Sequence, residues 1–404
     1  MLRIPGVAVM AICLLAAGTE AQANSPPPGP APIVAFSAGA AGGDSVAFEL
    51  FRGNRIFLKG TVNGHPVDIM LDSAAERTVM DRSLAQELGM KSAGTMQAPA
   101  ATSMETFDVI KDTDVSVAGL TLGKLSIWGG DLKFTAAQVG HKIDLVLGAE
   151  AFKAALVDID FEARRIAFHD PAKFHIPPGF RSMAVVPEPG SDGIRTIMLS
   201  IEGKAPVATI FDLGSSIPMT ISQPYEQAEQ FLNGRPSTDI LAGGVGGLTP
   251  HDVATLHSIK LGDTELRDVP AMFNRGADEL PRTGALVGID VFSRFRLITD
   301  YRHDALYLQP NAAAMTQPFL KDRTGLRAAF AGDHLQVVYV SKGSPAERDG
   351  WKAGDTVVAI NGQKIGPEYS TSALAQWKNG PAGTKVELTR GDGSKQTLTL
   401  AEYY

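Results

Sequence analysis

The chain has 404 residues, which is too long for one hydrophobic core and predicts two or three domains. Its composition, 44% apolar and 20% charged, is that of a globular protein and excludes collagen-like and broadly disordered chains. The net charge of −7, with no basic patch, argues against nucleic acid and against an anionic membrane surface as partners.

Residues 1–23 have the layout of a secretory signal peptide. Arg3 precedes an apolar stretch from Val7 to Gly18, and Ala21-Gln22-Ala23 supplies the small residues of a cleavage site. The apolar stretch is shorter than the roughly 20 residues that span a bilayer. We therefore expect an exported, periplasmic protein with no membrane span after signal cleavage. A buried N-terminal helix is the alternative interpretation.

The mature chain is predicted to contain no cysteine, because the single one, Cys13, lies inside the signal. Disulfides and thiol catalysis are therefore excluded. Residues 24–45 begin with a proline-rich run and continue rich in Ala and Gly. They have too little apolar surface to fold, which predicts a flexible leader.

β-Structure is predicted from residue 46 onward. The alternating pattern of Ile56–Val62 is typical of a β-strand. Asn63-Gly64 is predicted to form a hairpin turn, after which Val67–Leu71 forms a second strand. A short helix is predicted over 83–88, where Gly89 ends it. Further strands are predicted at 106–110, 115–117, 124–128, 145–147 and 166–168.

The pattern of this region recurs 140 residues later in the chain. Asp72 corresponds to Asp212, and Gly148 corresponds to Gly288. Each aspartate follows an apolar strand and begins a tight turn. The repeat predicts two homologous all-β lobes, residues 46–175 and 183–312.

A smaller unit occupies residues 320–404. Strands are predicted at 325–330 and 334–340, and Ser344-Pro345-Ala346 opens a short helix. A second helix is predicted over 370–377, and Gly391-Asp392-Gly393 turns a terminal hairpin. These elements predict a complete small α+β domain.

The duplicated aspartate motif resembles that of the aspartic peptidases and is most similar to retropepsin-like lobes fused in tandem. In both copies two apolar residues and an aspartate open the turn, and an apolar residue and a glycine follow 76 residues after the aspartate. The resemblance covers both lobes. It implies a mainly β, bilobal fold in which Asp72 and Asp212 form a catalytic dyad, with no metal and no other cofactor.

Two carboxylates a few ångströms apart cannot both ionise cheaply, so such a pair shares a proton and titrates in two steps. The ionised member takes a proton from the water that attacks a peptide carbonyl, while the protonated member hydrogen-bonds that carbonyl. The resemblance thus implies an aspartic endopeptidase acting on peptides or unfolded proteins. The alternative is a catalytically degenerate protein that keeps the protease fold for peptide binding or scaffolding.

Four residues next to the aspartates are predicted to support the dyad. In the family, the residue after each aspartate carries a hydroxyl that bonds across to the other lobe, which Ser73 can do and Leu213 cannot. The next residue is normally glycine, which Gly214 matches, whereas Ala74 adds a methyl group. Restoring the family pattern with Ala74→Gly and Leu213→Thr is expected to raise peptidase activity.

A glycine-rich stretch of the second lobe suits a flap, the hairpin that closes over substrate in this family. It consists of Gly243, Gly244, Val245, Gly246 and Gly247. A mobile surface loop is the alternative interpretation. The corresponding part of the first lobe, from Gln97 to Glu105, has no glycine.

The C-terminal unit resembles a PDZ domain of the kind associated with bacterial proteases. The resemblance rests on Gly343-Ser344-Pro345-Ala346, on Gly350-Trp351-Lys352-Ala353-Gly354-Asp355 and on Ile360-Asn361-Gly362. It implies that the domain binds an extended peptide, often a C-terminus, as an added strand. The carboxylate-binding loop corresponds to Gly325, Leu326, Arg327 and Ala328, with Arg327 in place of a glycine. Intramolecular packing is the alternative use of such a domain.

Other chemistry has little support in the sequence. The histidines lack the spacing of metal-binding motifs. Ser215 and Ser216 are not part of a nucleophile elbow, so they are interpreted as turn residues. Because two lobes already supply two aspartates, a monomer is expected.

Overall fold

The computed structural model describes residues 32–37, 45–100, 104–244, 247–276 and 283–404. Their secondary structure is mostly β, which confirms the predicted fold class. The predicted signal peptide lies outside the described residues, as do most of the predicted leader and Val245 and Gly246 of the predicted flap. Among the described residues, no helix has the length and hydrophobicity that crossing a bilayer requires.

The first lobe is built on hairpins with short helices between them. Its elements in chain order are β1 (Ile33–Phe36), β2 (Val46–Ala47), β3 (Glu49–Leu50), β4 (Ile56–Val62), β5 (His65–Leu71), β6 (Val79–Asp81), α1 (Arg82–Glu87), β7 (Ser92–Pro99), β8 (Met104–Val117), β9 (Leu120–Gly130), α2 (Lys133–Val139), β10 (Leu145–Leu147), α3 (Ala149–Ala154), β11 (Leu156–Asp160) and β12 (Arg165–His169).

The prediction of a flexible leader is wrong for β1. This strand lies within residues 24–45 and pairs antiparallel with β9, with Ile33 opposite Gly123. It consists of four consecutive apolar residues, Ile-Val-Ala-Phe, a composition that favours a strand once an edge is available for pairing.

The predicted hairpin before Asp72 is present. β4 and β5 pair antiparallel, and Asn63 and Gly64 turn between them with φ angles of 48° and 82°. Two residues with positive φ are what a tight two-residue hairpin turn requires. β5 then runs parallel to β10, so Asp72 leaves the sheet beside Leu147.

The second lobe repeats this order. Its elements are β13 (Arg181–Ala184), β14 (Val186–Pro187), β15 (Arg195–Ile201), β16 (Val207–Asp212), β17 (Met219–Ile221), α4 (Gln223–Glu229), β18 (Ser237–Gly244), β19 (Gly247–Leu261), β20 (Thr264–Asn274), β21 (Ala285–Gly288), α5 (Ile289–Phe292), β22 (Phe295–Asp300) and β23 (Ala305–Pro310), followed by α6 (Ala312–Met315). β16 runs parallel to β21, as β5 runs parallel to β10.

One sheet joins the two lobes. Its strand order is β13-β23-β22-β11-β12-β2, and β11 of the first lobe pairs antiparallel with β22 of the second. Ile159 lies opposite Leu297, and both side chains are buried in the main hydrophobic core, which contains residues of both lobes. The lobes therefore fold as one body around a shared sheet.

The C-terminal domain has its own core around Trp351 and Leu388. Its elements are β24 (Leu326–Phe330), β25 (Leu335–Val340), α7 (Pro345–Arg348), β26 (Thr356–Ile360), β27 (Gln363–Lys364), two 3-10 helices (Pro367–Thr371 and Ala373–Asn379), β28 (Lys385–Arg390) and β29 (Lys395–Thr399). The helix predicted over 370–377 is wrong as a single element. Ser372 has extended backbone and separates the two short 3-10 helices.

The C-terminal domain packs on both lobes. Lys342 accepts a hydrogen bond from Thr238 Oγ1 at 2.7 Å, and its N–H donates to Asp239 Oδ1 at 3.0 Å. These contacts attach the domain to β18 of the second lobe. Arg52 of the first lobe donates from Nε to the Ser370 carbonyl at 3.0 Å.

Candidate active site between the two lobes

The two aspartates lie at equivalent places at the centre of the bilobal unit. Asp72 follows β5 and donates its N–H to the Leu147 carbonyl at 3.1 Å, while Asp212 ends β16. A Cβ on Gly148 would lie 2.7 Å from the Ala75 carbonyl oxygen, and one on Gly288 would lie 2.1 Å from that of Ile217. The repeated glycines therefore let the strand behind each aspartate turn pack against it.

The turns of the two lobes are in direct contact. A Cβ built on Gly214 lies 2.4 Å from Cγ of Asp72, so the Asp72 carboxyl group rests against the backbone of the Asp212 turn. Only glycine leaves room for that carboxyl group. The structure therefore brings Gly214 and the turns of Asp72 and Asp212 together.

Ser73 connects the lobes by two hydrogen bonds. Its hydroxyl donates to the Phe211 carbonyl at 3.0 Å and accepts from the Leu213 N–H at 2.9 Å. Both bonds are buried. This is the cross-lobe bond that the resemblance implies for Ser73.

The other two supporting positions have apolar roles. Leu213 is fully buried in the main core, so its side chain packs rather than bonds across the lobes. Ala74 is also fully buried, and its methyl group packs against Ile194, Ile210 and Leu286 of the second lobe. The departures from the family pattern are therefore filled by apolar contacts between and within the lobes.

The electrostatics of the pair follow from burial. Asp72 and Asp212 both expose 0% of their surface. Burial, reinforced by the negative charge of Asp212, raises the pKa of Asp72 well above its ordinary value, although backbone N–H groups of Ala74 and Ala75 and the charge of Arg55 oppose the shift. A proton on Asp72 is therefore favoured at a pH where an exposed aspartate is ionised.

The oxygens of Asp72 have different partners. Oδ1 accepts from the Ala74 N–H at 2.8 Å, whereas Oδ2 is buried and has no hydrogen-bond partner among the described residues. In the other turn, Asp212 Oδ1 accepts from Gly214 and Ser215 at 2.7 and 3.0 Å. A buried oxygen without a partner is costly, and a shared proton or a bound water molecule would offset that cost.

A clasp closes one end of the site. Glu76, four residues after Asp72, accepts hydrogen bonds from the Ser191 hydroxyl and from the N–H groups of Asp192 and Gly193, at 2.9 and 3.0 Å for the two N–H groups. We call Glu76 and residues 191–193 the clasp. It ties the first lobe to the chain segment that enters β15 of the second lobe.

The opposite end of the site is open. By the 140-residue repeat, Ser216 corresponds to Glu76, and residues 51–53 correspond to 191–193. Ser216 lacks the carboxylate of Glu76, and here Ser216 and residues 51–55 line a cavity of about 350 Å³. The other walls come from β20 and from the C-terminal domain.

Arg55 lies between this cavity and the dyad. It is 3% exposed, and burial lowers its pKa to about 10, while the charges of Asp212, Asp72 and Asp290 favour its cationic form. Asp290 also lines the cavity, and burial raises its pKa to about 7. The repeat equivalent of Arg55 is Arg195, whose guanidinium group stacks over Tyr301 at the clasped end, 4.8 Å from the ring centroid.

Hairpins from both lobes approach each other over the site. β18 and β19 form the predicted flap, where a Cβ on Gly243 would lie 1.9 Å from the Gly247 carbonyl oxygen and Gly244 pairs with Gly247. β7 and β8 form the equivalent hairpin of the first lobe, and its Ala98 packs in the same cluster as Ala75. Gly247 and Phe107 face each other across a groove of about 270 Å³.

In the predicted carboxylate-binding loop of the C-terminal domain, two backbone N–H groups already donate hydrogen bonds to neighbouring side chains. Gly325, with φ +70°, donates to Asp322 Oδ1 at 3.0 Å, and Leu326 donates to Thr324 Oγ1 at 3.0 Å. The hypothesis that these two N–H groups hold a ligand carboxylate is therefore wrong. Arg327 and Ala328 both line the cavity, and no described residue is a hydrogen-bond partner of Arg327 Nε.

Sequence reasoning did not identify Glu76 or Arg55, and it interpreted Ser216 only as a turn residue. The signal was available in part, because Arg55 and Arg195 occupy the same repeat position. In the described part of the chain, no group of three or more His, Cys, Asp or Glu side chains could hold a metal ion.

Two family models match parts of the chain. A family model described as aspartyl protease matches residues 58–151 and 197–291, and a PDZ domain model matches residues 336–389. Among solved structures, the chain is similar to a retropepsin-like aspartic protease from Rickettsia conorii, at 20% identity, covering 32% of this chain and 89% of that one, with a TM-score of 0.25.

It is also similar to Basic 7S globulin from soybean, at 9% identity, covering 72% of this chain and 99% of that one, with a TM-score of 0.39. No curated protein matches the sequence. The chain thus contains two tandem regions that match the aspartyl protease family model, followed by a region that matches the PDZ domain model.

Proposed function

We propose that this protein is an aspartic endopeptidase in which Asp72 and Asp212 activate a water molecule for attack on a peptide bond. The observation that carries the proposal is the buried Asp72 Oδ2, which has no hydrogen-bond partner among the described residues and rests against the Asp212 turn. An acceptor in that position is suited to a shared proton or to a bound water.

We assign different roles to the two carboxyl groups, because the raised pKa of Asp72 favours a proton on that group. Asp72 keeps the proton and donates a hydrogen bond to the substrate carbonyl, and Asp212, as the ionised partner, takes a proton from the water. Ser73 holds the two turns in register through Phe211 and Leu213, which limits the reorganisation that the reaction requires.

Substrate entry requires the hairpins to move. Both aspartates are fully buried, and the β7–β8 and β18–β19 hairpins face each other over the site. The glycines at the end of β18 and the start of β19 permit backbone changes that other residues resist. We therefore propose that substrate binds between hairpins that open and then close again.

The test is hydrolysis of an unfolded protein across a range of pH by the purified full-length protein. Asp72→Asn and Asp212→Asn should each abolish cleavage, and a statine-type inhibitor should block the unmodified protein. The exposed Asp112 serves as a control, because Asp112→Asn should leave the rate unchanged. Full-rate cleavage by both dyad variants would show that the mechanism is wrong.

A second candidate is a non-catalytic protein that binds extended peptides. It is favoured by the complete burial of the dyad and by Leu213, which cannot return the cross-lobe bond that Ser73 makes. This candidate predicts peptide binding, measured by calorimetry, that Asp72→Asn leaves intact, together with no cleavage at any pH.

We also propose that the protein is exported to the periplasm and acts there as a monomer on peptide substrates. The support for export is the signal-like sequence of residues 1–23. Cell fractionation followed by N-terminal sequencing should give a periplasmic protein that begins at Asn24. Size-exclusion chromatography of that protein tests the monomer.

A further inference from the structure

The two hairpins that face each other over the site differ in how they are covered. β7 of lobe 1 and β18 of lobe 2 both lie at the edge of their sheets. Residues 92–95 of β7 are exposed, whereas Thr238 and Ile240 of β18 are each 5% exposed and Ala242 is fully buried. The lobe 2 hairpin is therefore covered at its edge, and the C-terminal domain lies there.

Hydrogen bonds attach the first part of β18 to this domain. Thr238 Oγ1 donates to the Lys342 carbonyl at 2.7 Å, and the Lys342 N–H donates to Asp239 Oδ1 at 3.0 Å. Tyr339 of β25 is hydrogen-bonded to the same Asp239 side chain, and burial together with this bond raises the pKa of Tyr339 to about 12. The base of the hairpin is thus held by β25 and by the residues that follow it.

Tyr404 of the C-terminal domain packs against the same hairpin. Its side chain lies against an apolar cluster of lobe 2, and its carbonyl accepts a hydrogen bond from Thr255 Oγ1 at 3.3 Å. The buried members of the cluster come from β18, β19 and β20 and are Ile240, Ala242, Val253 and Met272. Tyr404 is the aromatic side chain among the described residues of this cluster.

The lobe 1 hairpin obtains its aromatic packing from its own lobe. Phe107 of β8 stacks on Trp128 of β9, with ring centroids 5.1 Å apart, and both belong to the cluster that contains Ala98 of β7. In lobe 2, β19 and β20 instead place Val253 opposite Met272. The aromatic group that packs against the lobe 2 hairpin is therefore supplied by another domain.

The cluster behind the lobe 2 hairpin also reaches the Asp212 turn. Ile217 packs against it, as Tyr404 does. The Ile217 N–H donates to Ser215 Oγ at 3.3 Å, and the Ser215 N–H donates to Asp212 Oδ1 at 3.0 Å. One apolar cluster thus joins the C-terminal domain, the hairpin and the segment that follows Asp212.

The segment that carries Tyr404 is itself held in place. The Ala401 N–H donates to the Arg323 carbonyl at 3.1 Å, and Arg323 Nε donates to Glu402 Oε1 at 2.6 Å. Because these bonds fix the chain just before Tyr404, its ring is presented to the hairpin in one position.

We propose that the C-terminal domain is a working part of the peptidase site, in which Tyr404 and Lys342 fix the base of the lobe 2 hairpin so that its tip closes over substrate in one position. Tyr404 is a positioning residue, because it acts through β18 and β19 and not on the reacting atoms. The bending is left to the glycines of the tip, Gly243 and Gly247. This inference rests on the proposed peptidase activity.

The first experiment measures steady-state cleavage of fluorescently labelled casein, an unfolded protein, by full-length variants. In Tyr404→Ala the hairpin samples more positions, so closing it over substrate costs more conformational entropy. The hairpin is closed both in the substrate complex and in the transition state. KM should therefore rise about tenfold while kcat changes by less than about twofold.

Two further variants keep this test independent of a folding defect. Tyr404→Phe retains the ring and should restore KM. Thr238→Val removes the bond to Lys342 without changing the C-terminal domain, and it should raise KM about threefold.

Hydrogen exchange followed by mass spectrometry measures the hairpins without any cleavage. Tyr404→Ala should speed exchange of the amides of β18 and β19 about tenfold, while the amides of β7 and β8 keep their rates. The lobe 1 hairpin is thus an internal control. Lys395→Gln is the control variant, because Lys395 is exposed on the β28–β29 hairpin and pairs with Glu387. It should change neither KM nor exchange.

The outcomes separate this inference from the proposed activity. A fall in kcat at unchanged KM would show that Tyr404 only stabilises the fold, which overturns the positioning role and leaves the peptidase intact. Exchange that speeds up equally in both hairpins, or in neither, overturns the positioning role in the same way. No cleavage by the unmodified protein at any pH overturns the peptidase and the positioning role together.

Discussion

The two lobes share a sequence repeat and a strand order, yet they contribute different kinds of residue to the site between them. Lobe 1 supplies the polar connections: Ser73 bonds to Phe211 and Leu213, and Glu76 bonds to residues 191–193. At the equivalent positions lobe 2 has Leu213, which packs in the core, and Ser216, which lines a cavity.

This difference shows what duplication within one chain permits. A symmetric dimer must carry the same residue at both ends of its site. Here each end has its own residue, so one end is fastened by Glu76 while the other opens toward the PDZ domain. The asymmetry needs few substitutions because the backbone scaffold is the same in both lobes.

The largest effect on stability is expected when the two aspartate turns are given the same residues. Ala74→Gly with Leu213→Thr restores the family pattern, but it removes a methyl group from an interlobe cluster and places a hydroxyl group in the core. We expect a loss of about 3–4 kcal/mol in the free energy of unfolding. Urea denaturation of the double variant and of each single variant measures it.

The expected loss of stability in the double variant could mask the gain in peptidase activity that the sequence predicts. If the double variant is as stable as the unmodified protein, the apolar contacts of Ala74 and Leu213 contribute less than their burial indicates. Activity should then be compared below the unfolding transition, so that a change in rate is not a change in the folded fraction.

The next largest effect on the free energy of unfolding is expected when the clasp is removed. Glu76→Ala removes the acceptor of three hydrogen bonds, and we expect a loss of about 2–3 kcal/mol, because bonds to a charged group are stronger than neutral ones. The matched change in lobe 2, Ser216→Ala, should cost less, because hydrogen bonds of a neutral hydroxyl group are weaker than those of a carboxylate. Equal losses in the two variants would contradict the assignment of a closed and an open end.

The dyad predicts a dependence of stability on pH. The pKa of Asp72 is higher in the folded protein than its unfolded value of about 3.9, so the folded state holds a proton that the unfolded chain releases. The free energy of unfolding therefore falls as the pH rises from about 4 through the raised pKa.

Asp72→Asn stays neutral and should lack this fall in stability. Relative to the unmodified protein, the variant should gain about 1.4 kcal/mol for each unit by which the pKa is raised. Denaturant titrations at a series of pH values provide the measurement, with Asp112→Asn as the exposed control. Parallel curves for Asp72→Asn and the unmodified protein would show that Asp72 is not strained by its burial.

The smallest effect is expected on the pH dependence of activity when the charge of Arg55, at the open end of the site, is removed. The charge of Arg55 lowers the pKa of Asp72, so Arg55→Gln should raise that pKa and move the alkaline limb of the kcat/KM profile upward by about one pH unit. Arg55→Lys keeps the charge and should leave the limb near its original pH. A downward shift in Arg55→Gln would exclude a direct electrostatic effect.

The sequence was sufficient to predict the elements whose signals are local or repeated. Asn63-Gly64 specifies a hairpin turn, and the 140-residue repeat pairs Asp72 with Asp212 and Gly148 with Gly288. These features depend on backbone geometry and on spacing, which a single chain displays directly.

Features that depend on distant partners were not predictable in the same way. β1 was assigned to the leader because its pairing edge, β9, lies some ninety residues away. Gly325 was assigned to a carboxylate loop, but its N–H is taken by Asp322, a side chain that the loop pattern does not include. Glu76 looks like any surface glutamate until residues 191–193 are placed against it.

The pairing of β11 with β22 has a consequence for how the site responds to dilution. Because both halves of the dyad are carried by one chain and joined by one sheet, the effective concentration of one lobe for the other is fixed by the fold. Specific activity should therefore stay constant as the protein is diluted, whereas a site assembled from two chains loses its partner. Folding of the single chain is thus enough to bring together the two aspartates of the proposed dyad, without an encounter between two chains.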